Sequence, residues 1–94
     1  MRLKKNEQII IKQTIWNIDP NARIYLFGSR VDDQQKGGDI DLLVLSKQIN
    51  HSEQRKIKTR LYDLIGEQKI DLIVTDDISK PFIKLALRDA ILLE

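Results

Sequence analysis

Cysteine is absent from the 94 residues, and histidine occurs once, at His51. Without a thiol there is no disulfide framework, no thiolate metal site and no thiol nucleophile. One histidine, in what reads as a loop, supplies neither the ligands of a zinc site nor the base of a Ser-His-Asp triad. Chemistry therefore has to run on carboxylates, hydroxyls or bound ions. Aromatic residues are only 5% of the chain. Phe27, Phe82, Tyr25, Tyr62 and Trp16 mostly fall where a core is expected, which argues against a stacking platform for single-stranded nucleic acid. Charge of one sign is also lacking: 16 Lys and Arg against 14 Asp and Glu leave a formal +2. That bias is too small to argue for a polyanion partner, so direct DNA binding is not expected. Long apolar runs are missing as well. Ile9-Ile10-Ile11 is followed at once by Lys12, too short a stretch for a signal-peptide core or a membrane span, and the expected location is the cytoplasm.

What remains is a chain with 41% hydrophobic and 32% charged residues, enough apolar side chain to bury one core, read as a single domain over residues 1–94. Ile11, Ile15 and Ile18, with Ile10 and Trp16 beside them, recur at helical spacing over residues 6–18, and Asp19-Pro20-Asn21 ends the segment. Arg23 to Phe27 is short, branched and aromatic, a buried strand stopped by Gly28 and opening into a loop that runs to about Gly38. Asp39 to Leu45 is apolar on both faces except at its first and third positions, as in a central strand with polar residues at one end. Asn50 and Glu53 stand at capping-box spacing before the stripe Ile57, Leu61, Leu64 and Ile65, and Gly66 is a stop. Ile70 to Thr75 reads as a third strand, and Ser79 with Pro81 opens a last helix carrying apolar residues through Leu93. The order predicts an α/β (α+β) domain: a small mixed sheet of about three to four strands with helices mainly on one face. The last helix is apolar around most of its circumference, so its extra face either packs on the sheet or meets another subunit.

Asp39 and Asp41, two apart on a strand, leave the same face with Cα atoms roughly 7 Å apart. They are placed to converge on a divalent cation, and oxygen-only ligands suit Mg²⁺ or Mn²⁺ in company with substrate phosphates. Their mutual repulsion at the start of an apolar strand calls for such a cation. Asp71 holds the second position of the third strand. If that strand lies beside the second in matching register, Asp71 becomes a third acid, either a metal ligand or a general base; otherwise it is a surface residue of an edge strand. Asp76 and Asp77 read as turn residues. Gly28-Ser29 directly follows the first strand, where backbone N–H groups and a hydroxyl would meet triphosphate oxygens, or where an ordinary turn would suffice. The pattern is not a P-loop, because no Gly-x-x-x-x-Gly-Lys-Ser/Thr run is present.

Gly28-Ser29-Arg30, the stretch on to Gly38, and Asp39-Ile40-Asp41-Leu42-Leu43-Val44 together resemble the signature of the nucleotidyltransferase superfamily that shares its fold with DNA polymerase beta. Its smallest branch, the minimal nucleotidyltransferase (MNT) domains, is the most similar, and the resemblance covers essentially the whole chain. It implies the polymerase-beta-like nucleotidyltransferase fold and a metal-dependent transferase. Gly28 and Ser29 would hold a nucleotide triphosphate such as ATP, Asp39 and Asp41 would bind Mg²⁺, and Asp71 would be the third carboxylate, which helps activate the acceptor hydroxyl. Arg30 matches the basic residue after Gly-Ser and would touch phosphate, unless it pairs at the surface with Asp32 or Asp33. Three departures stand out. The family commonly carries one more residue between the serine and the first aspartate, an Ala where Val31 stands, and a Ser where Gly38 stands, and Gly37-Gly38 is expected to loosen the loop.

Larger members of that superfamily hold their acceptor with an added domain, which the 94 residues have no room for. Minimal domains of this kind are similar to the antitoxin half of HEPN/MNT toxin-antitoxin pairs, in which AMP passes from ATP to a tyrosine of the HEPN ribonuclease. The resemblance thus implies a HEPN-type helical partner, with a homodimer as a further expectation. Two alternatives stay open: a catalytically idle module that neutralises a partner by contact, and a transferase acting on a small molecule, as aminoglycoside-modifying enzymes do. The basic cluster Arg55, Lys56, Lys58 and Arg60 faces either an acidic partner or solvent.

Overall fold

A computed structural model describes residues 1–35, 37–66 and 68–94. Helix α1 (Lys5–Trp16) leads into strand β1 (Arg23–Phe27), a single 3₁₀ turn (Gly28–Val31), strand β2 (Ile40–Leu45), helix α2 (His51–Ile65), strand β3 (Ile70–Thr75), helix α3 (Pro81–Leu87) and strand β4 (Ile91–Leu93). Local chemistry explains most of these limits. Asn50 Oδ1 accepts the Glu53 N–H at 2.8 Å, and the Glu53 carboxylate accepts the Asn50 N–H at 3.1 Å, so the capping box opens α2. Gly66, at φ +106°, closes it.

The sheet runs β3-β2-β1-β4. β1 is antiparallel to both β2 and β4, whereas β2 and β3 are parallel and joined through α2, the crossover that a parallel pair requires. Alternation along β1 and β2 sends Ile24, Leu26, Ile40, Leu42 and Val44 to one face, where they are sealed beneath Ile11 and Ile15 of α1 and Ile57 and Leu61 of α2. Among the described residues, α3 is the one helix on the opposite face. It lies against β1, with the Phe27 and Phe82 rings edge to face at 6.4 Å. This is the small mixed sheet, with helices mainly on one face, that the pattern predicts.

Two expectations fail. The last helix does not run to Leu93: it stops at Leu87, and Ile91–Leu93 form β4. An apolar run this short suits either structure, and the open backbone edge of β1 decides, pairing Ile24 with Leu93 and Leu26 with Ile91. Nor are the aromatics core residues: none of the five is buried, Trp16, Tyr25 and Phe27 being half-buried and Phe82 and Tyr62 57% and 51% exposed. Among the described residues no helix is long and apolar enough to cross a membrane.

Candidate active site

The register brings one row of side chains across the face opposite α1 and α2: Phe27 beside Asp41, and Asp41 beside Asp71. Directly paired residues share a face, and neighbouring strands lie about 4.8 Å apart, so the two carboxylates confront each other. Each sits at the second position of its strand, before a run of at least three apolar residues. Burial chiefly, then the Asp71 charge, a hydrogen bond shared with Asp71 and the Asp39 charge push Asp41 up to about 6, against a lowering by Lys69.

Asp39 lies just before β2, near enough for its charge to raise Asp41, and is paired with Lys69. Its Oδ2 is 3.5 Å from Lys69 Nζ, in a pair whose side chains are 42% and 69% exposed. Among the described residues no three acidic or imidazole side chains are gathered into a ready ion site. The donor chemistry nevertheless fits a hard divalent cation: the acids offer only oxygen, and Asp41 and Asp71 share a face with their repulsion relieved only in part, by a proton shared between them and by Lys69. Asp39 stands two residues from Asp41, and the ion pair it makes is an exposed one.

The turn after β1 is built around the same acids. Gly28 has φ +74°, and a Cβ there would lie 2.2 Å from Asp41 Oδ2, so both the backbone and the contact demand glycine. Gly38, at φ +89°, stands in the same relation to Ser29, because its Cβ would come within 2.2 Å of Ser29 Oγ. The glycine expected to loosen the loop thus lets its far end close onto the serine.

Arg30 pairs with neither Asp32 nor Asp33. Its Nε donates to Gly38 O at 3.2 Å, Nη1 to Arg2 O at 3.0 Å and Nη2 to Gln68 Oε1 at 2.8 Å. Arg2 in turn donates from Nη2 to Ser29 O at 3.1 Å and from Nε to Asp32 O at 3.0 Å. Sequence reasoning missed Arg2, Gln68 and Lys69 at this site. The basic amino-terminal run was visible but has no local partner, and Gln68 and Lys69 carried no signal beyond their place just before an acidic strand.

Beside Gly28 a groove of about 320 Å³ is lined by Phe27, Phe82, Leu85, Ala86 and Asp89. Leu85 is 62% exposed and Phe82 57%, so the apolar surface left by α3 lines the groove beside Gly28.

The family described as Polymerase beta, Nucleotidyltransferase matches residues 4–94. No curated protein matches the chain in sequence.

Proposed function

Starting from a chain that belongs to the polymerase beta nucleotidyltransferase family, we propose that it moves AMP from ATP, with Mg²⁺, to a protein hydroxyl, a tyrosine of a HEPN-type partner that it thereby silences. The observation that carries this reading is the pairing of Asp41 with Asp71 at the end of the sheet, against a glycine turn with no room for a side chain.

In this reading the turn at Gly28 and Ser29 binds the triphosphate through backbone N–H groups and the Ser29 hydroxyl. Asp39, Asp41 and Asp71 would hold Mg²⁺, which supplies charge neutralisation at the phosphate oxygens when bound. Asp39 can leave Lys69 for this task at small cost, because exposed ion pairs contribute little. Asp71 accepts the proton of the attacking hydroxyl. The new oxygen–phosphorus bond forms at the α-phosphorus as pyrophosphate departs. Positioning and electrostatics carry the reaction, and no covalent enzyme intermediate is required. A protein acceptor is supported by the exposed apolar side of α3, where Phe82 and Leu85 offer a docking surface beside Gly28.

That same surface favours a second reading, neutralisation by contact with no transfer. Incubation with α-labelled ATP, Mg²⁺ and a HEPN-type ribonuclease separates the two. Label on the partner that disappears with Asp39→Asn supports transfer. Neutralisation that persists in the variant without label supports contact.

A further inference from the structure

A glutamate only 4% exposed lies away from the acids just described: Glu7, in the first turn of α1. Among the described residues it makes no ion pair, yet a carboxylate this deep must be compensated. Its Oε1 accepts the Lys4 N–H at 2.9 Å, and its Oε2 accepts from Gln68 Nε2 at 2.6 Å. Gln68 Oε1 faces the other way and accepts from Arg30 Nη2 at 2.8 Å. The side-chain amide therefore sits between an anion and a cation with its dipole aligned to both. A flipped amide would set NH₂ against the guanidinium and oxygen against the carboxylate.

We infer that Glu7, Gln68 and Arg30 form a brace that positions the Gly28-Ser29 turn against the acidic strand ends. Arg30 is its hub. One nitrogen holds Gly38, next to Asp39; another holds Arg2, which itself grips Ser29 O; the third holds Gln68, which leads through Lys69 into β3 and Asp71. The phosphate-side turn and the strands bearing all three acids are thus referred to one guanidinium, whose planar fork fixes direction as well as distance. Arg30 acts by holding the turn, and its three bonds leave it committed to protein atoms. Glu7 and Gln68 are positioning residues that act through it. The assignment rests on the nucleotidyl-transfer reading for its consequence, but the brace is measurable without nucleotide.

Gln68→Glu sets a second carboxylate against Glu7 and breaks the chain of bonds with almost no change of shape. Combining it with Glu7→Gln rebuilds the chain in exchanged form: the amide now on α1 donates to the carboxylate now beside Lys69, and that carboxylate accepts from Arg30. Amide hydrogen exchange reads the turn through the Arg2 N–H bonded to Arg30 O and the Asp32 N–H bonded to Ser29 O. In Gln68→Glu both should exchange about tenfold faster, the loss of roughly one charge-assisted bond, while the β1–β2 ladder stays protected. The double variant should return near the parent. Calorimetric binding of Mg·ATP should weaken in the single variant and recover in the double. Unchanged turn exchange in Gln68→Glu, absence of recovery in the double variant, or ATP affinity indifferent to a loosened turn would each overturn the brace as a positioning device. A parent protein that binds no Mg·ATP would instead overturn the function proposed above, with the brace then decided by exchange alone.

Discussion

The two faces of one strand, β2, meet different fates. Ile40, Leu42 and Val44 point under α1 and α2 and are wholly buried, whereas Asp41, on the other face, is only partly covered. The helix face closes the fold with interlocked aliphatic side chains. The face toward α3 leaves its acidic end open, and there the carboxylates stand in unfavourable proximity. Alternation every second residue is what allows stability and chemistry to be written into adjacent positions without mixing. Substitutions at neighbours should therefore fail in different ways.

Leu42→Ala against Asp41→Asn is the strongest attempt to break that separation. Removing the Leu42 side chain leaves a cavity under two helices and should cost about 2–5 kcal/mol, a fall in Tm of roughly 4–8 °C per kcal/mol for a domain this small. Asp41→Asn should leave the fold intact and lower label transfer by roughly 10³-fold, the usual scale for losing a principal electrostatic stabiliser. Thermal melts and transfer assays on both variants decide the matter. If Asp41→Asn melts as early as Leu42→Ala, the faces are not independent.

Gly28→Ala probes the place where fold and site touch. A side chain at φ +74° costs about 1–2 kcal/mol in itself, and its Cβ would also drive into Asp41 Oδ2. Gly37, at φ +66° with nothing within 4 Å, bears the backbone penalty alone. Gly28→Ala should therefore be the less stable of the two in chemical denaturation, and only it should displace the acids and impair Mg·ATP binding. Equal defects would mean that backbone conformation, and not the contact with Asp41, is what glycine serves there.

How much of this was legible beforehand depends on how far apart in sequence the deciding residues lie. Asn50, Glu53 and Gly66 bound α2 through contacts within a few residues, and those limits could be read directly. The pairing of Asp41 with Asp71 stayed conditional in the sequence: an acid near the start of each strand could be read, but not that the two strands, separated by α2, lie side by side in parallel register. The fate of Ile91–Leu93 could not be read locally, because the unpaired edge of β1, some sixty-five positions earlier, settles it. Arg30 resists a local reading for the same reason: its partners are Arg2, Gly38 and Gln68, none beside it in sequence. Nothing local in the sequence marks Glu7, a first-turn acid that only tertiary packing buries.

Smaller effects sharpen the comparison on the open face. Asp41 binds its proton more tightly in the folded chain, with a pKa of about 6, than in the unfolded one. Its contribution to the stability of the ion-free protein should then be fully present below about pH 4, fall as pH rises through 6, and be gone above. The drop should be about 1 kcal/mol or less, because solvent screens a partly exposed group. Denaturation in chelator across this range should show the slope, and Asp41→Asn should flatten it. With excess Mg²⁺ the ion favours the charged form, so the slope should shrink or reverse. A slope of the same sign and size in Asp41→Asn would assign it to another group.

Lys69→Ala should have the smallest effect on the fold and a diagnostic effect on the site. The ion pair it makes with Asp39 is long, at 3.5 Å, and largely exposed, so its loss should change stability by about 0.5 kcal/mol or less. Its charge, however, lies near Asp39 and Asp41 and competes with any cation drawn to them. Removing it should tighten Mg²⁺ binding a few-fold in titrations without nucleotide, and it should raise the pH midpoint of Asp41, which Lys69 now lowers. Weaker Mg²⁺ binding in Lys69→Ala would mean that the lysine orders Asp39 for the ion and is not merely its placeholder. Unchanged Mg²⁺ binding with weaker ATP binding would instead put the ammonium on the phosphate chain.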